Sequence, residues 1–387
     1  MTTAINKAVI IAGGKGTRLS GYIRDIPKSL VVIGDKTIIE HQIFLFKKNG
    51  IKEIWLLLGH LGDQIIKHIN GKKLGVKINF IKEDLPLGTA GAILQLKDKI
   101  KEDFLVFSGD IMADFDLKRL IRWHTGKNDA MATFVVHPND HPYDSDLVEI
   151  TDEGRVIKLL LRPHPDNEIY RNLSIASAYI FSPDIFQAIK SGIKSDIEKD
   201  ILPEVLKSGK KIYAYNTPEY IKDMGTPERL EKVRNDYCSG RIRRLNLKNK
   251  RKAIFLDRDG VINKEVDQLS KIEDFKVYDF AAESIKKIND SDYLAIIVTN
   301  QPMVAKGFIS KNELEAIHKK LETELGRNGA KIDRIYYCPH HPEKGFPGEV
   351  KELKMDCDCR KPNIGMIKKA RKDFNLDLKN SYLVGDS

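Results

Sequence analysis

Two short stretches of this chain carry residue types suited to phosphate chemistry, and a third carries the ligands of a soft metal. The first is Ala12-Gly13-Gly14-Lys15-Gly16-Thr17-Arg18-Leu19, followed by Pro27-Lys28-Ser29-Leu30. Glycines 13, 14 and 16 free the backbone to curl, so that successive N–H groups can face phosphate oxygens. The GxxxxGK[ST] spacing of a Walker loop is absent. Arg18 stands where a cation would stabilise charge on a triphosphate during transfer. The second stretch is Phe255-Leu256-Asp257-Arg258-Asp259-Gly260. Residues two apart at an extended strand end point the same way, so Asp257 and Asp259 can meet one phosphate and one cation. One carboxylate can attack phosphorus while the other serves as acid and then as base. The third group is Cys338, Cys357 and Cys359 with a histidine, His340 or His341. Four such ligands suit a closed tetrahedral site, and thiolates favour Zn²⁺ over Mg²⁺. That site is expected to be structural, bracing a loop.

Strands must deliver these residues. Apolar runs predict them at Ala8–Ala12, Ile54–Leu58, Lys77–Ile81, Phe104–Phe107, Met131–Val136, Ile175–Phe181 and Ile212–Tyr215. Helical patterns at Ile38–Lys48, Asp63–Ile69, Ala90–Leu96 and Thr226–Val233 alternate with them, as a mostly parallel α/β sheet requires. A second series begins at Ala253, with strands Ala253–Leu256, Leu294–Thr299, Arg334–Tyr337 and Tyr382–Val384. Its helices fall at Ala281–Ile288, Lys311–Leu325 and Gly365–Asp373. The expected division is therefore a domain at 1–238, a basic linker at 239–252 and a second domain at 253–387. A chain of 387 residues is long enough for two cores.

The net charge of +10 invites a nucleic-acid reading. Much of the excess crowds into Arg241, Arg243, Arg244, Lys248, Lys250, Arg251 and Lys252, with no interleaved aromatic residue and no zinc-finger or RNP-type motif. A solvated linker and anionic small substrates account for it, so no nucleic-acid partner is expected. No apolar run approaches the ~20 residues of a membrane span, and the polar start leads straight into a strand. A cytoplasmic protein with no membrane partner is expected, and homo-oligomerisation stays open. Cys238 stands alone and is read as an inert thiol.

Ala12–Leu19 with Pro27–Leu30 resembles the signature of sugar-1-phosphate nucleotidyltransferases, over roughly residues 5 to 235. Glu83-Asp84-Leu85-Pro86-Leu87-Gly88-Thr89-Ala90-Gly91 resembles the family segment that contacts base and sugar. Ser108-Gly109-Asp110 and Asp223-Met224-Gly225-Thr226-Pro227 resemble the segments carrying its two metal ligands. The resemblance implies in-line attack of a sugar 1-phosphate on the nucleotide α-phosphate, expelling pyrophosphate. Arg18 and Lys28 would neutralise charge, and Asp110 and Asp223 would hold Mg²⁺. Ala12, Gly13, Gly14, Lys15, Gly16, Thr17, Gly88 and Thr89 would line the nucleotide. The chain departs from the family at Leu161-Arg162-Pro163, where Glu-Lys-Pro is usual, and at Ala176-Ser177-Ala178-Tyr179. Arg162 can still grip the sugar phosphate, while plain glucose is not expected to fit in the usual way.

The Asp257–Asp259 stretch, Val298-Thr299-Asn300-Gln301, Arg360-Lys361-Pro362 and Leu383-Val384-Gly385-Asp386-Ser387 together resemble the four motifs of haloacid dehalogenase superfamily phosphatases. The resemblance makes Asp257 the nucleophile and Asp259 the general acid and base. Thr299 would orient the phosphoryl group and Lys361 neutralise it, with Asp257, the Asp259 carbonyl and Asp386 on Mg²⁺. The metal loop is similar to that of heptose 1,7-bisphosphate 7-phosphatases and nearly as similar to that of histidinol phosphatases. This likeness selects His340 over His341 beside Cys338, Cys357 and Cys359. Such phosphatases continue beyond the last motif, so Asp386 is expected in a frayed tail and this half is expected to be truncated. The implied fold is α/β, a Rossmann-like nucleotidyltransferase sheet followed by a Rossmann-like phosphatase domain with a zinc loop. The implied function is bifunctional: removal of the 7-phosphate of D-glycero-D-manno-heptose 1,7-bisphosphate, then transfer of a nucleotidyl group, GMP from GTP, to the heptose 1-phosphate. The alternative is a hexose-1-phosphate nucleotidyltransferase joined to a histidinol-phosphate-type phosphatase or to a silent phosphatase-like module.

Overall fold

The computed structural model describes residues 5–14, 25–266 and 269–386. The chain divides into two compact units, neither of them a single run of sequence. One comprises residues 1–136, 150–159 and 175–246, and the other residues 137–149, 160–174 and 247–387.

In the first unit the strands used below are β1 (Lys7–Ala12), β2 (Glu53–Leu58), β3 (Lys77–Lys82), β4 (Phe104–Ser108), β5 (Ile111–Asp114), β6 (Ala130–His137), β7 (Ser174–Phe181), β8 (Lys211–Asn216) and β9 (Tyr220–Asp223). Seven strands of the nine-stranded main sheet run β8-β6-β7-β4-β1-β2-β3. Strands β4, β1, β2 and β3 are mutually parallel, while β7 lies antiparallel to β4. Near-continuous apolar sequences at KAVIIA, EIWLLL and FLVFS suit strands covered on both faces. The edge strand β3 begins and ends in exposed lysines, which discourage further pairing. Helix α1 (Ile38–Lys48) starts at a capping box: the Thr37 amide and hydroxyl donate to Glu40 Oε2 at 2.9 and 2.8 Å. Its buried face, Ile39, Ile43 and Phe46, packs with Ile10, Ile54 and Phe107 of the sheet. A separate ribbon pairs β5 with β9, antiparallel, with Asp223 opposite Ile111. That ribbon carries no strong apolar signal and was not expected from the sequence. Helices α2 (Gly88–Leu94) and α3 (Pro227–Cys238) follow two of the loops of interest.

The second unit is built on four parallel strands in the order β12-β11-β10-β13: β10 (Lys252–Leu256), β11 (Tyr293–Asn300), β12 (Arg334–Cys338) and β13 (Tyr382–Val384). Successive residues of β11 serve opposite faces. Ala295 and Ile297 join Ile285 of α4 (Ala281–Asp290) and Ile317 and Leu321 of α5 (Lys311–Arg327). Ile296 and Val298 join Met366, Ala370 and Phe374 of α6 (Gly365–Phe374). Helices thus cover both faces, the layering of a doubly wound sheet.

Residues 137–149 and 160–174 complete this unit from the N-terminal half. Arg171 spans Glu315 and Glu322 of α5 at 2.7 and 2.9 Å. The Asn172 amide donates to Glu322 at 2.8 Å, and the Tyr170 amide to Thr323 Oγ1 at 2.9 Å. The stretch expected as a basic linker is structured: Arg241–Arg244 is a short helix, and Ile242, Asn246, Leu247 and Arg251 are buried. Its apolar Ile242 and Leu247, invisible behind the charge count, have cores to enter. No helix of the described residues is long and apolar enough to cross a membrane.

Candidate active sites

In the first unit, the residues after β1 approach a second glycine. A Cβ on Gly59, which follows β2, would come within 2.8 Å of the Gly13 carbonyl, and one on Gly13 within 3.1 Å of Glu83 Oε2. Gly59 was not anticipated; its only sequence signal is its place directly after an apolar strand. Among the described residues nothing lies within 4 Å of a Cβ placed on Gly14, and Ala12 ends the strand. Lys15, Gly16, Thr17 and Arg18 lie outside the described residues. Beside Gly13, Glu83 has a buried Oε1 without a hydrogen-bond partner among the described residues. Burial pushes its carboxyl up from the ordinary range, opposed by the Leu87 backbone N–H.

Gly88 has φ +79°, and any Cβ there would strike the Ser195 carbonyl at 2.3 Å, so only glycine fits. The Thr89 hydroxyl is engaged within the protein: it donates to Asp196 at 3.0 Å and accepts from the Ile197 amide at 2.8 Å. It therefore ties residues 195–197 to α2 rather than standing free for a nucleotide. On the altered strand, Ser177 (φ +48°) and Tyr179 both donate their hydroxyls to Glu198.

The β5–β9 ribbon brings Asp110 and Asp223 together. Asp223 faces Ile111, and the Met224 amide donates to the Asp110 carbonyl at 3.1 Å. Asp110 accepts from Ser108 at 2.7 Å and pairs with Lys28 at 3.5 Å. Asp223 receives the Gly225 amide and Arg229 Nη1, which lies 2.9 Å from both its oxygens. Buried Gln42 of α1 braces the turn by donating to the Ser108 and Ile111 carbonyls, each at 2.8 Å. Arg229 and Gln42 escaped the sequence reading, since nothing in their local pattern points at a carboxylate or turn so far away. Arg162 falls in the second unit, on Asp146 (Nε–Oδ1 3.4 Å) and the Asp144 carbonyl (2.6 Å). Both partners belong to residues 137–149.

In the second unit an open cleft of about 930 Å³ is lined by Asp257, Asp259, Thr299, Lys361 and Asp386 among others. Asp257 and Asp259 leave the end of β10, Thr299 and Gln301 the end of β11, and Asp386 follows β13. The Asp257 amide donates to the Val384 carbonyl at 2.9 Å. Lys361 Nζ forms an ion pair with Asp257 Oδ2. Asn300 fixes that lysine's backbone, accepting its N–H at 2.9 Å and donating to its carbonyl at 3.2 Å. Gly260 (φ +75°) lies against Asp386, where a Cβ would meet a carboxylate oxygen at 2.4 Å. Burial, then Asp259, Asp386 and Asp257, push Glu265 up from its ordinary range. So many acidic oxygens around one cleft form a hard donor set suited to Mg²⁺.

Asp259 is the most heavily bonded of these groups. Its Oδ1 accepts from Arg258 Nε (3.1 Å), Arg258 Nη2 (2.8 Å) and Asn263 Nδ2 (2.9 Å). Its Oδ2 accepts from Arg258 Nη2 (2.9 Å) and Gln301 Nε2 (2.7 Å). Gln301 also donates to Thr299 Oγ1 at 2.9 Å.

The soft ligands converge. Cys338 Sγ, His340 Nδ1, Cys357 Sγ and Cys359 Sγ all lie within 4.8 Å of one another, and His341 is not among them. Their closest separations, 3.2 to 3.6 Å, are just under the ~3.8 Å edge of a tetrahedron with Zn–S near 2.3 Å. The cluster can hold a metal ion. It also sets Lys361, two residues after Cys359, and α6, whose Gly365 amide bonds the Asp358 carbonyl at 2.8 Å.

The family model described as "Nucleotidyl transferase" matches residues 7–240, and that of "Polynucleotide kinase 3 phosphatase" residues 252–387. The D-glycero-alpha-D-manno-heptose-1,7-bisphosphate 7-phosphatase of Photorhabdus laumondii is 47% identical over 138 residues, 36% of this chain and 73% of that protein. The D-glycero-beta-D-manno-heptose-1,7-bisphosphate 7-phosphatase of Escherichia coli is 37% identical over 134 residues, 35% of this chain and 68% of that protein. The structure of HddC from Yersinia pseudotuberculosis, also solved with GMP-PN, is similar at 28% identity and a TM-score of 0.52, over 60% of this chain and 100% of that one. UDP-glucose pyrophosphorylase from Acinetobacter baumannii, at 21% identity, TM-score 0.54 and 60% and 93% coverage, shares the fold.

Proposed function

The chain belongs to the nucleotidyl transferase family over residues 7–240 and to the heptose-1,7-bisphosphate 7-phosphatase family over its C-terminal part, and we propose that it performs two consecutive steps of heptose nucleotide-sugar synthesis. The first removes the 7-phosphate of D-glycero-D-manno-heptose 1,7-bisphosphate. The second joins the remaining 1-phosphate to GMP from GTP, releasing pyrophosphate. What carries the reading is the Asp257–Lys361 pair in the cleft of a chain whose other half is a nucleotidyl transferase: the sugar 1-phosphate left by hydrolysis is the nucleophile that transfer requires.

In the cleft, Asp257 attacks phosphorus while Lys361 and Thr299 balance the phosphoryl oxygens. Asp259 gives a proton to the departing sugar oxygen, then takes one from the water that cleaves the aspartyl phosphate. Mg²⁺ held by Asp257, Asp386 and the Asp259 carbonyl would supply charge neutralisation, and Zn²⁺ on Cys338, His340, Cys357 and Cys359 would hold the loop that carries Lys361. In the transferase half, Asp110 and Asp223 would hold Mg²⁺, with Arg229 and Lys28 ceding the carboxylates. Glu83 favours guanine: as a carboxylate its Oε1, without a partner among the described residues, accepts only, and guanine alone offers two adjacent donors, N1–H and N2–H, on one edge. The α-anomer is favoured by the relative at 47% identity, against 37–39% for four β-specific ones.

Incubation with the α-1,7-bisphosphate, GTP and Mg²⁺ is expected to yield inorganic phosphate, pyrophosphate and a GDP-sugar in sequence. Release of neither phosphate nor pyrophosphate overturns the proposal.

A further inference from the structure

Arg258 separates the two aspartates of the cleft, yet it is 1% exposed, among the largest fully buried side chains of the described residues. A buried guanidinium needs partners for its N–H groups, and here each of its three nitrogens faces a polar atom. Nε and Nη2 fork onto Asp259. Nη2 also donates to Gln301 Oε1 at 2.9 Å, and Nη1 points at His318 Nε2, 3.3 Å away on α5. His318 is likewise buried, and that burial, with Arg258 and Arg171 close by, holds its imidazole well below the ordinary range. It is neutral, so Nε2 accepts the guanidinium's hydrogen bond. Phe275 closes the other side, its ring centroid 5.9 Å from the guanidinium carbon.

From this chain of contacts we infer that Arg258, itself fixed by His318 and Gln301, is a positioning residue for the proton transfers of Asp259, anchoring its Oδ1 and leaving Oδ2 to carry the proton. The inference rests on the phosphatase reading of the cleft. Oδ1 is held by three donors, while Oδ2 shares one arginine hydrogen and takes a neutral amide. Oδ2 is therefore the oxygen that can exchange a partner. In the first half-reaction the Asp257–phosphorus bond forms, the bond from phosphorus to the sugar oxygen breaks, and the proton on Asp259 Oδ2 passes to that oxygen. In the second, a water oxygen bonds phosphorus, the Asp257–phosphorus bond breaks, and a water proton returns to Oδ2.

A positioning role shows in leaving-group dependence. A sugar alkoxide cannot depart without its proton, whereas p-nitrophenolate can, and kcat/KM reports only steps through phosphoryl transfer. Arg258→Lys keeps the charge and loses the fork. It is expected to lower kcat/KM for the sugar 1,7-bisphosphate by about 10²-fold, the scale of general acid catalysis, mainly through kcat. For p-nitrophenyl phosphate the loss is expected to stay within about threefold, because no acid is needed there. His318→Gln, which retains an acceptor, should keep the wild-type ratio between the two esters; His318→Leu, which does not, should shift it as Arg258→Lys does. This pair carries the contrast where Arg258→Lys fails to fold. Equal losses on both esters, or no loss on the sugar ester, overturn the inference. Wild-type protein that hydrolyses neither ester overturns the phosphatase reading itself.

Discussion

The two candidate sites differ in how much of their chemistry is already tied together. In the phosphatase cleft nearly every group has a partner within the cleft: Lys361 on Asp257, Gln301 bridging Thr299 and Asp259, Arg258 forked onto Asp259. In the transferase half the acidic pair is adjacent, yet each member rests on a cation, Lys28 or Arg229, and Glu83 keeps a buried oxygen without a partner among the described residues. The first arrangement is already assembled, its side chains bonded to one another. The second holds its carboxylates on cationic side chains, so under the proposed function ligand binding there would include an exchange of partners. Preorganisation of the first kind is where mutation costs most, because the aligned groups act as a unit.

Removing the nucleophile tests that contrast most strongly. Asp257→Asn is expected to cut phosphate release by roughly 10⁴-fold or more, as loss of a nucleophile does, while pyrophosphate release from sugar 1-phosphate and GTP stays unchanged. Loss of both in a steady-state assay would show that the halves do not work separately. Next in size, Asp110→Asn is expected to lower the transferase rate by about 10³-fold, the loss of several kcal/mol of metal-assisted charge stabilisation, with phosphatase turnover intact. For Glu83→Gln the readout is a ratio. Wild-type protein should prefer GTP to inosine triphosphate, which lacks the N2 amine, by about 10²-fold, because the analogue leaves a buried acceptor unpaired. The variant should narrow that gap; an unchanged ratio would remove Glu83 from base selection. Smallest of all, Cys359→Ser should release bound zinc, read by metal analysis. It should also lower phosphatase kcat/KM by about 10- to 100-fold through the loosened Lys361 backbone, the range seen when supporting groups of a site are lost. Transferase activity unchanged by the same substitution would keep the two sites distinct.

The residues that converge in the cleft and in the Cys/His cluster were legible in the sequence because short-range spacing encodes them. Asp257 and Asp259 share a strand end, and Cys357 and Cys359 share a turn. The apolar runs located eleven strands of the two main sheets to within two residues at either end, since a buried parallel strand needs an uninterrupted apolar run, but they missed Leu147–Ile150 and Val156–Leu160. What escaped was set by pairing between distant segments. Arg258 meets His318 across 60 positions and Gln301 across 43, and a lone arginine between two aspartates reads as surface charge. The β5–β9 ribbon joins residues about a hundred positions apart, too short and too mixed in polarity to show a period. The motif around Thr89 was visible, but the bonds of its hydroxyl to Asp196 and Ile197, over a hundred positions away, were not. Arg162 reads as a phosphate ligand by type, whereas the structure shows it on Asp146 and the Asp144 carbonyl, partners that no local pattern signals.

The interrupted make-up of the second unit bears on how the chain is synthesised. Asn172 finds its partner Glu322 150 residues later, and Tyr170 its partner Thr323 153 residues later. On a ribosome, residues 137–149 and 160–174 emerge long before α5 exists, with the polar groups meant for it still exposed to water. Closure of so long a loop makes completion of this unit a late event, favoured neither by local contacts nor by speed. A gene fragment starting at Leu247 would supply the four-stranded sheet and leave Glu322, Thr323 and Lys319 on α5 without the chain that covers them.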